Sequence, residues 1–226
     1  MNAIRQRLHD NLAAVEARVA AACARVGRSR ATVTLVAVTK NVSPEVTALL
    51  PELGVLDLGE NRPQSLWSKA ELLPKEVRWH LIGHLQRNKI ERTLPIVHCI
   101  HSVDSVRLLQ SLEQQGRPVS VLLEVNASGE ASKQGFDPAE LPGLTAIVAA
   151  LVHVRVIGLM TMAALQDAAA CRPTFAALRG LRDQLKPRLP SVEHLSMGMS
   201  NDFEIAIEEG ATFIRLGTVL FEGLNT

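Results

Sequence analysis

Val33-Thr34-Leu35-Val36-Ala37-Val38 and Val119-Ser120-Val121-Leu122-Leu123-Glu124-Val125 decide the fold class, because each run is apolar on both faces. A strand with one wet face alternates; a strand without a polar face is covered on both sides, as parallel strands are between a lumen and a layer of helices. Working outward, strand-like runs recur at about 32–39, 54–58, 77–82, 96–101, 119–125, 153–159, 192–196 and 212–217. Segments of helical spacing lie between them, including 104–115 and 167–186. Before the first strand, Ile4, Leu8, Leu12, Val15, Val19, Cys23 and Val26 repeat at three- and four-residue intervals, predicting an amphipathic helix that ends near Gly27. The pattern predicts an α/β fold: one compact (β/α)₈ TIM barrel with an extra N-terminal helix, spanning 1–226 as a single domain. An open doubly wound sheet is the competing arrangement of the same elements.

Composition narrows the function. Of the 226 residues, 47% are hydrophobic, and 24 basic side chains meet 23 acidic ones for a net charge of +1. No global field draws such a chain to nucleic acid or an anionic membrane, so an anionic ligand needs a local site. Cys23, Cys99 and Cys171 are widely spaced, which argues against a zinc framework or a disulfide scaffold and suits a reducing cytoplasm. The Ala- and Arg-rich residues 1–27 share some composition with a transit peptide, but Asp10 and Glu16 count against one. The apolar runs are too short for a membrane span.

In a barrel of this kind chemistry gathers where the strands end. Lys40 closes the first run, and alternation places Thr34, Val36, Val38 and Lys40 on one face. If that face is the lumen, the ammonium enters the barrel mouth partly desolvated, which lowers a lysine pKa and favours the free amine that condenses with aldehydes. The plainer alternative is a solvated lysine. Gly59-Glu60-Asn61 and Trp79-His80-Leu81-Ile82-Gly83-His84 bring an amide and imidazoles toward the same rim, although His80 could equally be a satisfied core histidine. Leu195-Ser196-Met197-Gly198-Met199-Ser200 runs into an expected helix at 201–209, with Ser200 placed to cap it, and Gly217-Thr218 follows the last strand. Barrels often build a phosphate site from these two loops. Arg215 interrupts the run Ala211–Leu216, and a guanidinium in a barrel interior requires a carboxylate or a ligand as partner. Glu130 and Lys133, after the fifth run, read most simply as an exposed ion pair.

Together these residues form a pattern that resembles the pyridoxal phosphate homeostasis proteins (YggS-like, or proline synthetase co-transcribed proteins). The motifs that carry the likeness are Val36-Ala-Val-Thr-Lys40, Gly59-Glu-Asn61, Trp79-His-Leu-Ile-Gly-His-Leu-Gln-Arg-Asn-Lys89, His101-Ser-Val-Asp104, Gly158-Leu-Met160, Leu195-Ser-Met-Gly-Met-Ser200 and Arg215-Leu-Gly-Thr218. The family is similar in fold to the N-terminal barrel of alanine racemase. The resemblance implies pyridoxal 5′-phosphate (PLP) held as a Schiff base (aldimine) on Lys40. It implies Ser196, Met197, Gly198, Ser200, Gly217 and Thr218 around the phosphate, Arg215 toward the pyridine nitrogen, and Asn61 and His80 along the ring. It also makes Glu130 and Lys133 a candidate transfer site. The chain departs from many relatives at Arg62-Pro63-Gln64 and at Phe221-Glu222-Gly223, which touches the shape of the rim.

Two functions are compatible with this resemblance: a cytoplasmic carrier that stores PLP and delivers it to apo-enzymes, or a racemase or decarboxylase that uses it. The absence of tyrosine removes the second base of the racemase that the barrel resembles. The chain is also expected to lack that enzyme's extra β-domain after Thr226. An arginine beside the pyridine nitrogen leaves the ring a weaker electron sink. The carrier is therefore the expected function, with PLP and apo-enzymes as partners, neither nucleic acid nor membrane, and a monomer or weak homodimer as the form.

Overall fold

In the computed structural model, which describes residues 2–129, 134–163 and 168–224, parallel strands close into a barrel in sequential order. They are β1 (Thr34–Val38), β2 (Asp57–Glu60), β3 (Arg78–Leu81), β4 (Val97–Val103), β5 (Val119–Glu124), β6 (Val154–Met160), β7 (His194–Ser196) and β8 (Phe213–Leu216). Pairing of β1 with β8, from Thr34 opposite Phe213 to Ala37 opposite Leu216, closes the ring and rules out the open sheet. Outside lie α1 (Asn2–Arg25), α2 (Pro44–Thr47), α3 (Leu49–Glu52), α4 (Pro63–Ala70), α5 (Ile90–Thr93), α6 (Val106–Glu113), α7 (Thr145–Ala149), α8 (Arg172–Leu185) and α9 (Phe203–Glu208).

The predicted N-terminal helix is α1, whose apolar stripe buries Leu8, Val15, Val19, Ala22 and Cys23. Arg18 and Arg25 join it to Glu204 and Glu208 of α9. The main apolar core lies between the strands and the helical layer: Leu35, Leu58, Leu81, Ile100, Leu195 and Ile214 face Leu66, Leu109, Phe175 and Phe203. Burial of such side chains supplies about 1.5–3 kcal/mol each, so this layer dominates stability. The lumen holds a much smaller apolar cluster, Cys99, Leu122 and Met160 with Ile157 and Phe213. Beside it stand the buried polar side chains His80, His101, Ser196 and Arg215. Among the described residues no helix is long and apolar enough to cross a membrane.

The second strand, Asp57–Glu60, starts three residues later and ends two residues later than the sequence suggests. Gly59 and Glu60 belong to the strand, and a Cβ on Gly59 would stand 3.0 Å from Val36 Cγ1. Glu60 faces outward, where it meets a lysine from α4.

Candidate functional site

The C-terminal ends of the strands define one mouth. Lys40 stands two residues past β1, in a turn closed by Val42 N–H donating to the Thr39 carbonyl at 2.9 Å. Its side chain is exposed, which corrects the expected desolvation: strand alternation ends at Val38, and the chain turns before the lysine is reached. Lys40 nonetheless shares this rim with the last loop, because a Cβ on Gly217 would lie 3.3 Å from the Val38 carbonyl oxygen.

The turn is anchored from behind. Lys69 of α4 donates to the Thr39 carbonyl and to Glu60 Oε1, both at 2.6 Å, and the Thr39 hydroxyl donates to the same Oε1 at 2.8 Å. All three side chains are buried, and among the described residues Glu60 Oε2 has no hydrogen-bond partner. Sequence reading missed Lys69, because a lysine on an amphipathic helix ordinarily reaches water. Its one sequence signal is that it lies on the same turn-spaced face as Leu66 and Pro63, the buried residues of α4.

Beneath the mouth runs a hydrogen-bonded chain. Arg215 Nη1 donates to Ser196 Oγ at 2.6 Å, and Nη2 to the Thr161 carbonyl at 3.0 Å. Ser196 Oγ lies 2.8 Å from His101 Nδ1, His101 Nε2 lies 2.9 Å from His80 Nδ1, and His80 Nε2 lies 3.0 Å from Asp57 Oδ1. Arg78 closes the chain with two bonds to Asp57 at 2.8 and 2.6 Å. His80 therefore lies deeper than the rim, with both nitrogens engaged, and Ser196 supports Arg215 from within the barrel. Burial brings the Arg215 guanidinium down to about 10. Burial raises the Asp57 carboxyl, but the Arg78 and His80 hydrogen bonds outweigh it and hold it below the ordinary carboxylate range.

The last two loops form a cradle. Gly198 has φ +94°, a left-handed conformation, and a Cβ there would stand 2.6 Å from Ala206 Cβ. Met197 sends its side chain into the helix-facing core, leaving its backbone to the loop. Ser200 does not cap α9; its Oγ accepts from Val219 N–H at 3.4 Å, tying the two loops together, while Asp202 Oδ1 accepts from Met199 N–H at 2.6 Å. The helix accordingly starts at Phe203. Among the described residues, the N–H groups of Ser200, Gly217 and Thr218 donate to no protein acceptor. Thr218 is exposed.

Asn61, partly buried just past β2, lies against Gly83: a Cβ on Gly83 would approach the Asn61 carbonyl oxygen within 2.3 Å. Across the mouth His84 Nδ1 is 3.1 Å from Asp104 Oδ2. Glu124, at the end of β5, was not singled out from the sequence; its carboxyl is pushed up by burial and by the neighbouring Asp104 charge, against a partial opposing pull from Arg215. Glu130 and Lys133 lie outside the described residues.

Residues 11–225 match the family model described as alanine racemase, N-terminal domain. A pyridoxal phosphate homeostasis protein of Aquifex aeolicus (strain VF5) is 40% identical over 219 residues, covering 94% of this chain and 96% of its own. The protein of that name from Escherichia coli (strain K12) is 36% identical over 224 residues, covering 93% and 94%. Among solved structures, an unknown protein from Bifidobacterium adolescentis superposes with TM-score 0.92 at 37% identity, covering 98% of this chain and 97% of that one. PipY of Synechococcus elongatus PCC7942, solved with PLP bound, gives 0.81 at 34% identity, covering 95% and 99%. Alanine racemase from Corynebacterium glutamicum gives 0.74 at 14% identity, with 98% of this chain on 62% of that one, a likeness of fold alone.

Proposed function

We propose, on the premise that this chain belongs to the pyridoxal phosphate homeostasis protein family, that it binds pyridoxal 5′-phosphate at the barrel mouth and serves intracellular PLP homeostasis by storing and delivering the cofactor. When bound, PLP supplies an aldehyde that condenses with a primary amine, an anionic phosphate and a ring nitrogen.

The residues present fit each part. The observation that carries the reading is the cradle of Gly198, Ser200, Gly217 and Thr218, with uncommitted N–H donors, on the same rim as the Lys40 turn. Lys40 would provide the amine and the two loops would hold the phosphate. Arg215 has more N–H donors than its two bonds use, so it would donate to the ring nitrogen from below. Asn61 would meet the ring side, and the backbone of Met197 would complete the cradle. Ser196 and His80 would act from below the ligand. Glu130 and Lys133 remain the candidate transfer pair.

Exposure of Lys40 favours the carrier over the racemase or decarboxylase reading. An enzyme of carbanion chemistry encloses its reacting atoms and excludes water. A carrier needs an amine that ligand can reach and leave. The test is titration of purified protein with PLP, followed by mixing with an apo-enzyme and with a panel of amino acids. The carrier predicts a saturable visible absorption, reactivation of the apo-enzyme and negligible amino-acid turnover; sustained racemisation or decarboxylation at ordinary enzymatic rates contradicts it.

A further inference from the structure

Barrels of this class usually fill their interior with layers of branched apolar side chains. Here the centre is occupied by Arg215, Ser196, His101 and His80, all buried, and the chain of hydrogen bonds continues to Asp57 at the opposite end of the barrel.

With both rings uncharged, one proton arrangement satisfies every bond of this chain. A guanidinium only donates, so Ser196 Oγ accepts from Arg215; in this arrangement the hydroxyl proton goes to His101 Nδ1. That nitrogen is therefore bare and His101 carries its proton on Nε2, from which it donates to His80 Nδ1. His80 in turn carries its proton on Nε2 and donates to the Asp57 carboxylate, which only accepts. In this arrangement each atom takes the role its neighbour requires. Burial, with the nearby Arg215 charge, holds His101 well below the ordinary imidazole range. The aligned dipoles present acceptor atoms to the cation at one end and hydrogens to the anion at the other. Neutral chains of this kind strengthen one another in a low-dielectric interior.

We infer that His101 and His80 are positioning residues: acting through Ser196 and anchored on Asp57, they fix the place and orientation of the Arg215 guanidinium beneath the bound ring. The inference rests on the PLP reading above for its ligand, but the proton arrangement is a property of the protein alone.

His80, Cys99 and His101 also offer three ligand atoms within 4.8 Å of one another, the spacing of a metal cluster. The chain accounts better for them. His80 Nδ1 and His101 Nε2 are bonded to each other, and burial pushes the Cys99 thiol up, away from the thiolate that a metal needs.

Two measurements test this. Nitrogen-15 NMR of histidine-labelled protein without ligand reads the tautomers directly. Both rings should be neutral with the proton on Nε2; an Nδ1–H tautomer or an imidazolium at either ring near neutral pH overturns the chain, as does a stoichiometric metal that is lost in Cys99→Ser. The second compares His101→Leu with His101→Gln, whose amide can both donate and accept, by PLP dissociation constant, absorption spectrum of the bound ligand and thermal denaturation. His101→Leu should weaken PLP on the order of tenfold, the size expected for loosening a hydrogen bond to a charged group, and shift the bound spectrum. His101→Gln should recover both. A destabilised His101→Leu that still binds PLP with wild-type affinity and spectrum leaves the histidines a structural role only and defeats the inference. If His101→Leu does not fold, the NMR result alone decides. Failure of the wild-type protein to take up PLP defeats the functional reading and leaves the tautomer result standing.

Discussion

Arg215 Nη1 donates to Ser196 Oγ at 2.6 Å, so the last residue of β7 holds the floor of the mouth while the backbone that follows it forms its rim. The two faces of one short segment thereby set the height of a cation and the shape of a cradle together.

Ser196→Ala leaves a buried guanidinium N–H and a buried imidazole nitrogen without partners. Such losses cost about 1–3 kcal/mol. Urea denaturation should show a lower midpoint with an unchanged slope, the sign that stability and not compactness has changed. An unaltered midpoint contradicts the description of this bond.

The two cradle glycines should respond differently. In Gly198→Ala a Cβ meets Ala206 Cβ at 2.6 Å on a left-handed backbone, and strain of that kind costs about 1–3 kcal/mol. In Gly217→Ala the nearest atom is the Val38 carbonyl at 3.3 Å, a contact that a small shift relieves. Denaturation midpoints should therefore drop for the first far more than for the second, whereas phosphate-dependent PLP affinity should fall in both.

Lys69→Met removes the one cation bound to buried Glu60 among the described residues. Breaking such a pair costs about 3–5 kcal/mol because the remaining charge has no compensation. The double variant Lys69→Met with Glu60→Gln should recover much of that loss. Calorimetry of both checks this, and PLP uptake should follow the same order, since the pair holds the carbonyl of Thr39 beside Lys40.

Glu124 gives the pH dependence a sign. Burial and Asp104 raise its folded-state pKa above the unfolded value, so its contribution is fully present below the ordinary carboxylate value of about 4.3 and is lost as pH rises through the folded value. Glu124→Gln should therefore gain stability relative to the parent protein at about pH 8 and lose that advantage at about pH 4.5. Parallel stability curves for the two proteins contradict the assignment.

Much of this was legible in the residues. Runs apolar on both faces gave the parallel strands, and eight of them in this length gave the closed barrel. The turns of the last two loops were visible because Gly198 and Gly217 follow strand-ending runs. Other features depend on closure. Whether Lys40 follows strand alternation turns on where β1 ends, and its exposure results from a turn at Thr39 that alternation cannot foresee. His80, His101, Ser196 and Asp57 come from strands up to 139 residues apart in sequence, between Asp57 and Ser196, and no local pattern marks them as neighbours. Lys69 and Glu60 escaped because a buried ion pair behind a strand looks, in one dimension, like two surface charges.

The central claim concerns the amine of Lys40. The most direct measurement is borohydride reduction of the PLP-loaded protein, followed by digestion and peptide mass mapping, with Lys40→Ala treated in parallel. The account predicts a stable pyridoxyl adduct confined to the peptide that contains Lys40 and absent from the variant, together with loss of the visible absorption. An adduct of the same yield on another lysine, or one that persists in Lys40→Ala, would contradict it.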